Sequence, residues 1–238
     1  MKETKYTFKR YEKKFILTPE EYELFMRAAG EHFIPDEYHK STISSIYYDD
    51  DSYSLIRHSI EAPVYKEKIR LRSYKVPTRD DTVFVELKKK YKGVVYKRRA
   101  EMPVLQAERW LSGQEKISAD TQTLREIDWF VSHNALLPKA YIGVDRTSWV
   151  DKSGSELRVT FDENICWRSE RLSLTDGRDG ELLLKDGKIL MEIKIPGAAP
   201  LWLASLLSDQ AIFPQKYSKY GTCYTEELIK NSQFAELL

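Results

Sequence analysis

The chain has 238 residues, 32% of them charged and 42% hydrophobic, with ten Gly, nine Pro and two Cys. This composition excludes disorder and collagen, and the length suits one large domain or two small ones. A domain of this size buries about 70–75% of the surface its unfolded chain exposes, so it needs no disulfide or structural metal to be stable.

Cys166 and Cys223 sit in no C-x-x-C or zinc spacing, the pattern of buried or free thiols in a reducing compartment. The first ten residues are charged with no apolar core. No run approaches the roughly 18 apolar residues of a membrane span. The reading is therefore a cytoplasmic chain with no membrane segment.

Taken in order, a strand-like run covers 5–16, followed by Thr18-Pro19-Glu20-Glu21. That motif combines an N-cap, a first-turn Pro and acids favoured by the helix dipole, and Tyr22, Phe25, Met26 and Ala29 share one face behind it. Strands are predicted at 42–49, 64–74, 82–90 and 93–102, with a tight connection at Lys92-Gly93. An amphipathic helix is predicted over 121–137, then strands at 140–150, 156–162, 181–184 and 188–195. Turns are expected at Lys152-Ser153-Gly154 and Asp186-Gly187. Helices at 201–207 and 225–238 end the chain. No linker, repeat or low-complexity tract intervenes, so residues 1–238 are read as a single α+β domain with helices packed outside an antiparallel β-structure.

The 38 basic and 37 acidic residues nearly cancel, and a whole-chain view predicts no polyanion partner. Their distribution says otherwise. Side chains alternate along a strand, so residues two apart share a face. Arg10, Glu12 and Lys14 share one. So do Lys66, Lys68, Arg70 and Arg72; Glu86, Lys88 and Lys90; Lys97, Arg99 and Glu101; Arg158, Thr160 and Asp162; and Glu192 and Lys194.

For a single strand, a half-exposed sheet explains this pattern well. Across the set, Lys and Arg recur where a solvated face would tolerate Ser, Thr, Asn and Gln. Neighbouring cations about 6 Å apart repel by roughly 3 kcal/mol at an effective dielectric near 20, so an anion is expected to join them. The charged faces could form an open basic sheet or the interior of a closed barrel. A barrel of about eight strands admits only side chains or a thin ligand, which suits a polyphosphate chain and excludes duplex nucleic acid.

The motifs carry a family resemblance. Arg10-Tyr11-Glu12-Lys13-Lys14-Phe15 resembles the R-x-E-x-K-[YF] opening of VTC-type polyphosphate polymerase domains, within the triphosphate tunnel metalloenzyme (CYTH-like) superfamily. Ser45-Ile46-Tyr47-Tyr48-Asp49 is similar to the family's S-x-Y-F-D strand, Lys68 to Tyr74 to its K-x-R-x-R-x-Y strand, and Phe84 to Lys88 to its E-x-K strand. Asp145-Arg146, Leu157 to Asp162, Met191 to Lys194 and Lys216 to Gly221 follow in order, so the similarity spans about 8–222.

The resemblance implies a closed eight-stranded antiparallel tunnel with a charged interior. It implies phosphate-holding roles for Arg70, Arg72, Lys88, Arg146 and Arg158, with Arg10, Lys14, Lys68, Lys97 and Lys194 extending the lining. Ser218 and Lys219 match a late S-K pair near the transferred phosphate. Without the resemblance they would read as an exposed turn after Pro214.

For Mg²⁺ or Mn²⁺, Glu192 is the leading ligand, with Glu12 and Glu86 as helpers; a salt bridge to a neighbouring Lys explains the latter two equally well. Many triphosphatases of the superfamily carry Glu where Arg10 stands, which favours polymerase chemistry here. The expected activity is transfer of the ATP γ-phosphoryl onto a growing polyphosphate chain. The alternatives are a triphosphatase acting on nucleoside triphosphate or tripolyphosphate, a non-catalytic polyphosphate-binding module, and, more remotely, a basic sheet for single-stranded RNA. His32, His39, His58 and His133 show no metal spacing, and Trp110, Trp129, Trp149 and Trp202 read as core.

Overall fold

The computed structural model describes residues 10–92 and 94–229. Nine strands are present: β1 (Arg10–Leu17), β2 (Phe33–Asp49), β3 (Tyr65–Ser73), β4 (Thr82–Tyr91), β5 (Val94–Pro103), β6 (Leu137–Asp151), β7 (Arg158–Arg168), β8 (Glu181–Leu182) and β9 (Ile189–Pro196). The helices are α1 (Pro19–Ala29), α2 (Ser54–Ile60), α3 (Val104–Leu111), α4 (Gln122–His133), α5 (Leu201–Asp209) and α6 (Lys219–Cys223), the last continuing into a π-helical turn at Tyr224–Leu228. The rest of the predicted 225–238 helix and the start of the 5–16 strand lie outside the described residues.

Local chemistry accounts for the element ends. The Thr18 hydroxyl accepts from the Glu21 backbone N–H while the Glu21 carboxylate accepts from Thr18 N–H, a capping box with Pro19 in the first turn. Asp186 and Gly187 take φ of 59° and 66°, the mirror-image turn that Asp-Gly favours. β8 nevertheless pairs β7, and β9 pairs β1 and β7.

The strand order is β1-β9-β7-β6-β2-β3-β4-β5, with β8 joined to β7. This corrects the expected closed eight-stranded tunnel in two respects. Among the described residues there are nine strands, and the order has two ends, with no β1–β5 pairing. Closure depends on the stagger and curvature of many strands at once, which alternation along single strands does not encode.

By compactness the backbone divides into two units. Of the described residues, the first comprises 10–41, Val144–Ile165 and Leu184–Tyr217; the second comprises 42–92, 94–143, Cys166–Leu183 and 218–229. In the first, Phe15, Leu17, Val159, Phe161, Met191 and Ile193 form a core with Phe25 of α1 and Leu203 of α5. In the second, Ile69, Leu71, Val85 and Leu87 are fully buried against Val104, Ala107 and Trp110 of α3 and Ile127 and Phe130 of α4. In each unit the apolar strand faces are thus covered and the opposite faces carry the charge.

Trp129 departs from the expected core role and is 57% exposed, its ring stacked on His133. Cys166 and Cys223 are both buried. A Cβ on Gly180 would lie 2.3 Å from the Trp167 carbonyl oxygen, which is backbone and cannot swing away. Gly180→Ala is expected to cost about 1–3 kcal/mol in thermal unfolding; an unchanged melting temperature would contradict the close approach.

Candidate anion-binding faces

The second unit's charged face is built by register. Arg70 on β3 stands opposite Tyr47 on β2 and Glu86 on β4, Glu86 stands opposite Arg99 on β5, and Lys88 stands opposite Lys68 and Lys97. Glu86 is 1% exposed and gathers four cations. Arg70 donates to it from Nε and Nη2 at 2.8 and 2.7 Å, Arg99 from Nε and Nη2 at 2.9 and 2.5 Å, Lys97 lies at 2.6 Å and Arg72 at 3.8 Å.

Burial alone would raise the Glu86 pKa, but Arg70, Arg72 and Lys97 hold it well below the ordinary carboxylate range. Burial lowers the Lys97 pKa, and it lowers that of Arg72 with help from Arg70. Four guanidinium or ammonium groups for one carboxylate leave a local excess of positive charge. Arg99 also donates to the Tyr74 hydroxyl, and its guanidinium lies 4.4 Å from the Phe84 ring centroid.

The short helix α6 closes one end of this face. Ser218, its N-cap, accepts from the Lys68 ammonium at 2.8 Å and from Gly221 N–H at 3.2 Å. The Tyr220 ring stacks on Tyr47 at 4.7 Å, and its hydroxyl donates to the fully buried Asp49. Lys219 is the first residue of the helix, and its charge acts on Tyr47. Asp49 in turn accepts from the N–H groups of Leu55 and Ile56 at the start of α2, so one carboxylate ties α2 and α6 to the end of β2.

The first unit's face differs in balance. Lys14 lies 3.2 Å from Glu192 and 3.5 Å from Glu12. Arg146 donates in a fork to Asp162, Nε to Oδ1 at 2.5 Å and Nη2 to Oδ2 at 2.7 Å, and lies 3.5 Å from Glu192. Arg158 donates to Asp36, which also accepts from the Ser148 hydroxyl. Lys194 stands opposite Glu12 and Arg158, and burial lowers its pKa against the pull of Glu192. Arg10 pairs with Pro196 through its backbone; its side chain lies outside the described residues. Lys14, Arg146, Arg158 and Lys194 thus meet as many carboxylates: Glu12, Asp36, Asp162 and Glu192.

A family profile described as the VTC domain matches residues 9–227. The chain belongs to the VTC domain family. Among solved structures, a candidate adenylate cyclase of Bacillus halodurans aligns with this VTC domain at a TM-score of 0.54 and 12% identity, over 87% of this chain and 92% of that one. It shows a shared fold. A Pyrococcus horikoshii protein (TM-score 0.46, 14% identity, 93% and 99% covered) and a candidate adenylate cyclase of Vibrio parahaemolyticus (0.48, 11%, 93% and 100%) are more distant in shape. A search of curated proteins finds no match.

The sequence motifs therefore lead to the right family, and the match extends slightly past the expected 8–222. Within the VTC domain, the second unit brings together Arg70, Arg72, Lys97 and Glu86, and separately Lys68 and Ser218. The first unit brings together Lys14, Arg146, Glu12 and Glu192. Tyr47, Asp36, Thr160 and Asp162 were not among the expected site residues. Thr160 and Asp162 carried a signal, since they alternate with Phe161 on the face of Arg158. Asp36 carried none, lying beside Pro35 in a stretch that does not read as strand.

The carboxylates also decide where a divalent ion fits. Among the described residues, no group of three His, Cys, Asp or Glu side chains gathers to hold one. Glu86 does not fit, because its oxygens are taken by four cations. Glu192 and Glu12 fit better. Lys14 lies between them and Arg146 lies 3.5 Å from Glu192, both farther off than the 2.5–2.9 Å bonds of Arg70, Arg99 and Lys97 to Glu86, and the buried Thr160 hydroxyl on β7, opposite Glu192, has no hydrogen-bond partner. Mg²⁺ or Mn²⁺ completes its shell with waters and phosphate oxygens when protein supplies only one or two carboxylates.

Proposed function

We propose that this VTC domain is a metal-dependent phosphotransferase that moves the γ-phosphoryl of ATP onto a polyphosphate chain. The observation that carries the reading is the four-to-one excess of cations over carboxylate around buried Glu86. Such an excess is stable when an anion completes it, and forked Arg groups match phosphate oxygens. Phosphoryl transfer has a loose, charge-spread transition state, so positioning and electrostatic stabilisation do most of the work and no covalent nucleophile is required.

In this reading each face binds phosphate in its own right. Arg70, Arg72, Lys88, Lys97 and Lys68 hold phosphate oxygens directly, and Ser218 and Lys219 at α6 orient the group in transfer. Arg146, Arg158, Lys194 and Lys14 bind phosphate on the charge-balanced face, where Glu192 and Glu12 would hold Mg²⁺ or Mn²⁺. A metal bound there would neutralise charge on the phosphate oxygens that this face holds. Asp162 and Asp36 orient Arg146 and Arg158.

Incubation with ATP and Mn²⁺ should yield long phosphate chains on a gel. ADP and free phosphate alone would replace this reading with a triphosphatase. Tight binding of tripolyphosphate without turnover would replace it with a binding module.

A further inference from the structure

Tyr47 lies in the charged face of β2 at 7% exposure, opposite Arg70. Its phenolic oxygen accepts from Arg70 Nη1 at 3.0 Å. Its ring stacks on Tyr220 with planes 16° apart. Arg70 and Arg72 face it from β3, and Lys219 and Tyr220 from α6. Tyr220 stays protonated, since burial and Asp49 push its pKa upward. Burial opposes ionisation of Tyr47 as well, but there Arg70, Arg72 and Lys219 win and bring its pKa down to about 8.

Resting on the phosphate reading above, we propose that Tyr47 is a positioning residue of this face, whose oxygen aims the Arg70 guanidinium at bound phosphate and takes up a proton as the anion arrives. A phenolate and a phosphate compete for the same cations. Phosphate near Arg70 and Arg72 removes part of what stabilises the phenolate, so the proton returns from solvent. By linkage, the protonated form binds the anion more tightly. Arg70 keeps its bonds to Glu86 throughout, so the phenol governs how the guanidinium is shared between protein and ligand.

The ultraviolet absorbance of tyrosinate reads this directly in the wild-type protein. One phenol should titrate near pH 8, and tripolyphosphate added at that pH should discharge its signal. Tyr47→Phe, which keeps the ring and its stack on Tyr220, should lose both effects. Tyr74, also drawn down by Arg72 and Arg99 against its burial, remains in both proteins and is thereby separated.

The wild-type affinity for tripolyphosphate, divided by that of Tyr47→Phe, should fall about tenfold between pH 7 and pH 9, the span of two pH units around the phenol. The ligand's own titration is common to both proteins and cancels in the ratio. Wild-type protein that binds tripolyphosphate with no tyrosinate change, or a ratio flat with pH, would overturn the role of Tyr47 alone. No tripolyphosphate binding at any pH would overturn the phosphate reading and this inference together.

Discussion

Glu86→Gln is expected to destabilise the protein by about 3–5 kcal/mol, the cost of leaving buried charges without their partner. For a chain of this length that is a drop of roughly 10 °C in melting temperature. The reason is the ratio at this carboxylate: Arg70, Arg72, Lys97 and Arg99 all converge on it, and an amide cannot replace its charge.

The same argument predicts a partial cure. Tripolyphosphate supplies negative charge to the same cations, so it should raise the melting temperature of Glu86→Gln by more than that of the wild type. The pH dependence has a definite sign. The folded-state pKa of Glu86 lies below the ordinary value of a glutamate carboxyl. Its contribution is therefore complete above that value and is lost as pH falls toward the depressed one. The variant should lack this part of the acid-side loss. A melting temperature within a degree or so of the wild type would show that the four cations do not depend on Glu86.

Arg146→Ala is expected to cost about 3–5 kcal/mol as well, but for the opposite charge. Asp162 is fully buried and both its oxygens accept from the Arg146 fork. Alanine removes the fork and leaves the carboxylate in a low-dielectric setting. Arg146→Lys keeps the charge as a single point and should recover only part of the loss. The double variant Arg146→Ala with Asp162→Asn should be more stable than Arg146→Ala alone, and denaturant unfolding of the set forms a double-mutant cycle. A double variant whose loss equals the sum of the losses of Arg146→Ala and Asp162→Asn taken singly would mean that the pair carries no coupling. Unlike Glu86→Gln, Arg146→Ala should gain no extra stability from tripolyphosphate, because the charge it leaves behind is negative.

Each strand overlaps a run that alternation and β-branched residues mark in the sequence, although the first half of β2, 33–41, carries no such mark, and the cap at Thr18 is legible residue by residue. α3 was also within reach, since Val104, Ala107, Trp110 and Leu111 recur at helical spacing. α2 was not. It spans seven residues and is anchored by Asp49, whose carboxylate bonds the N–H groups of Leu55 and Ile56.

The cation faces were legible as faces, yet their neutralisation was not. Seen along single strands, Lys66, Lys68, Arg70 and Arg72 look like a row of repelling charges, and removing one should bring relief. Across strands, Arg70 is a partner of Glu86, and Asp162 and Asp36 bind Arg146 and Arg158. Those pairings depend on the β2, β4, β5 and β7 registers, which the sequence of one strand does not contain.

β5 stands at an end of the strand order and, among the described residues, pairs only with β4. An unpaired strand flank is a template on which a foreign chain can add itself. Here that flank carries Lys97, Arg98 and Arg99 in succession, and a neutral or cationic strand approaching it must strip water from them and meet like charge. Lys97, read as a phosphate ligand, thus also acts as a guard against aggregation. Trimming it to tune substrate preference should make the protein stickier as well as weaker in binding.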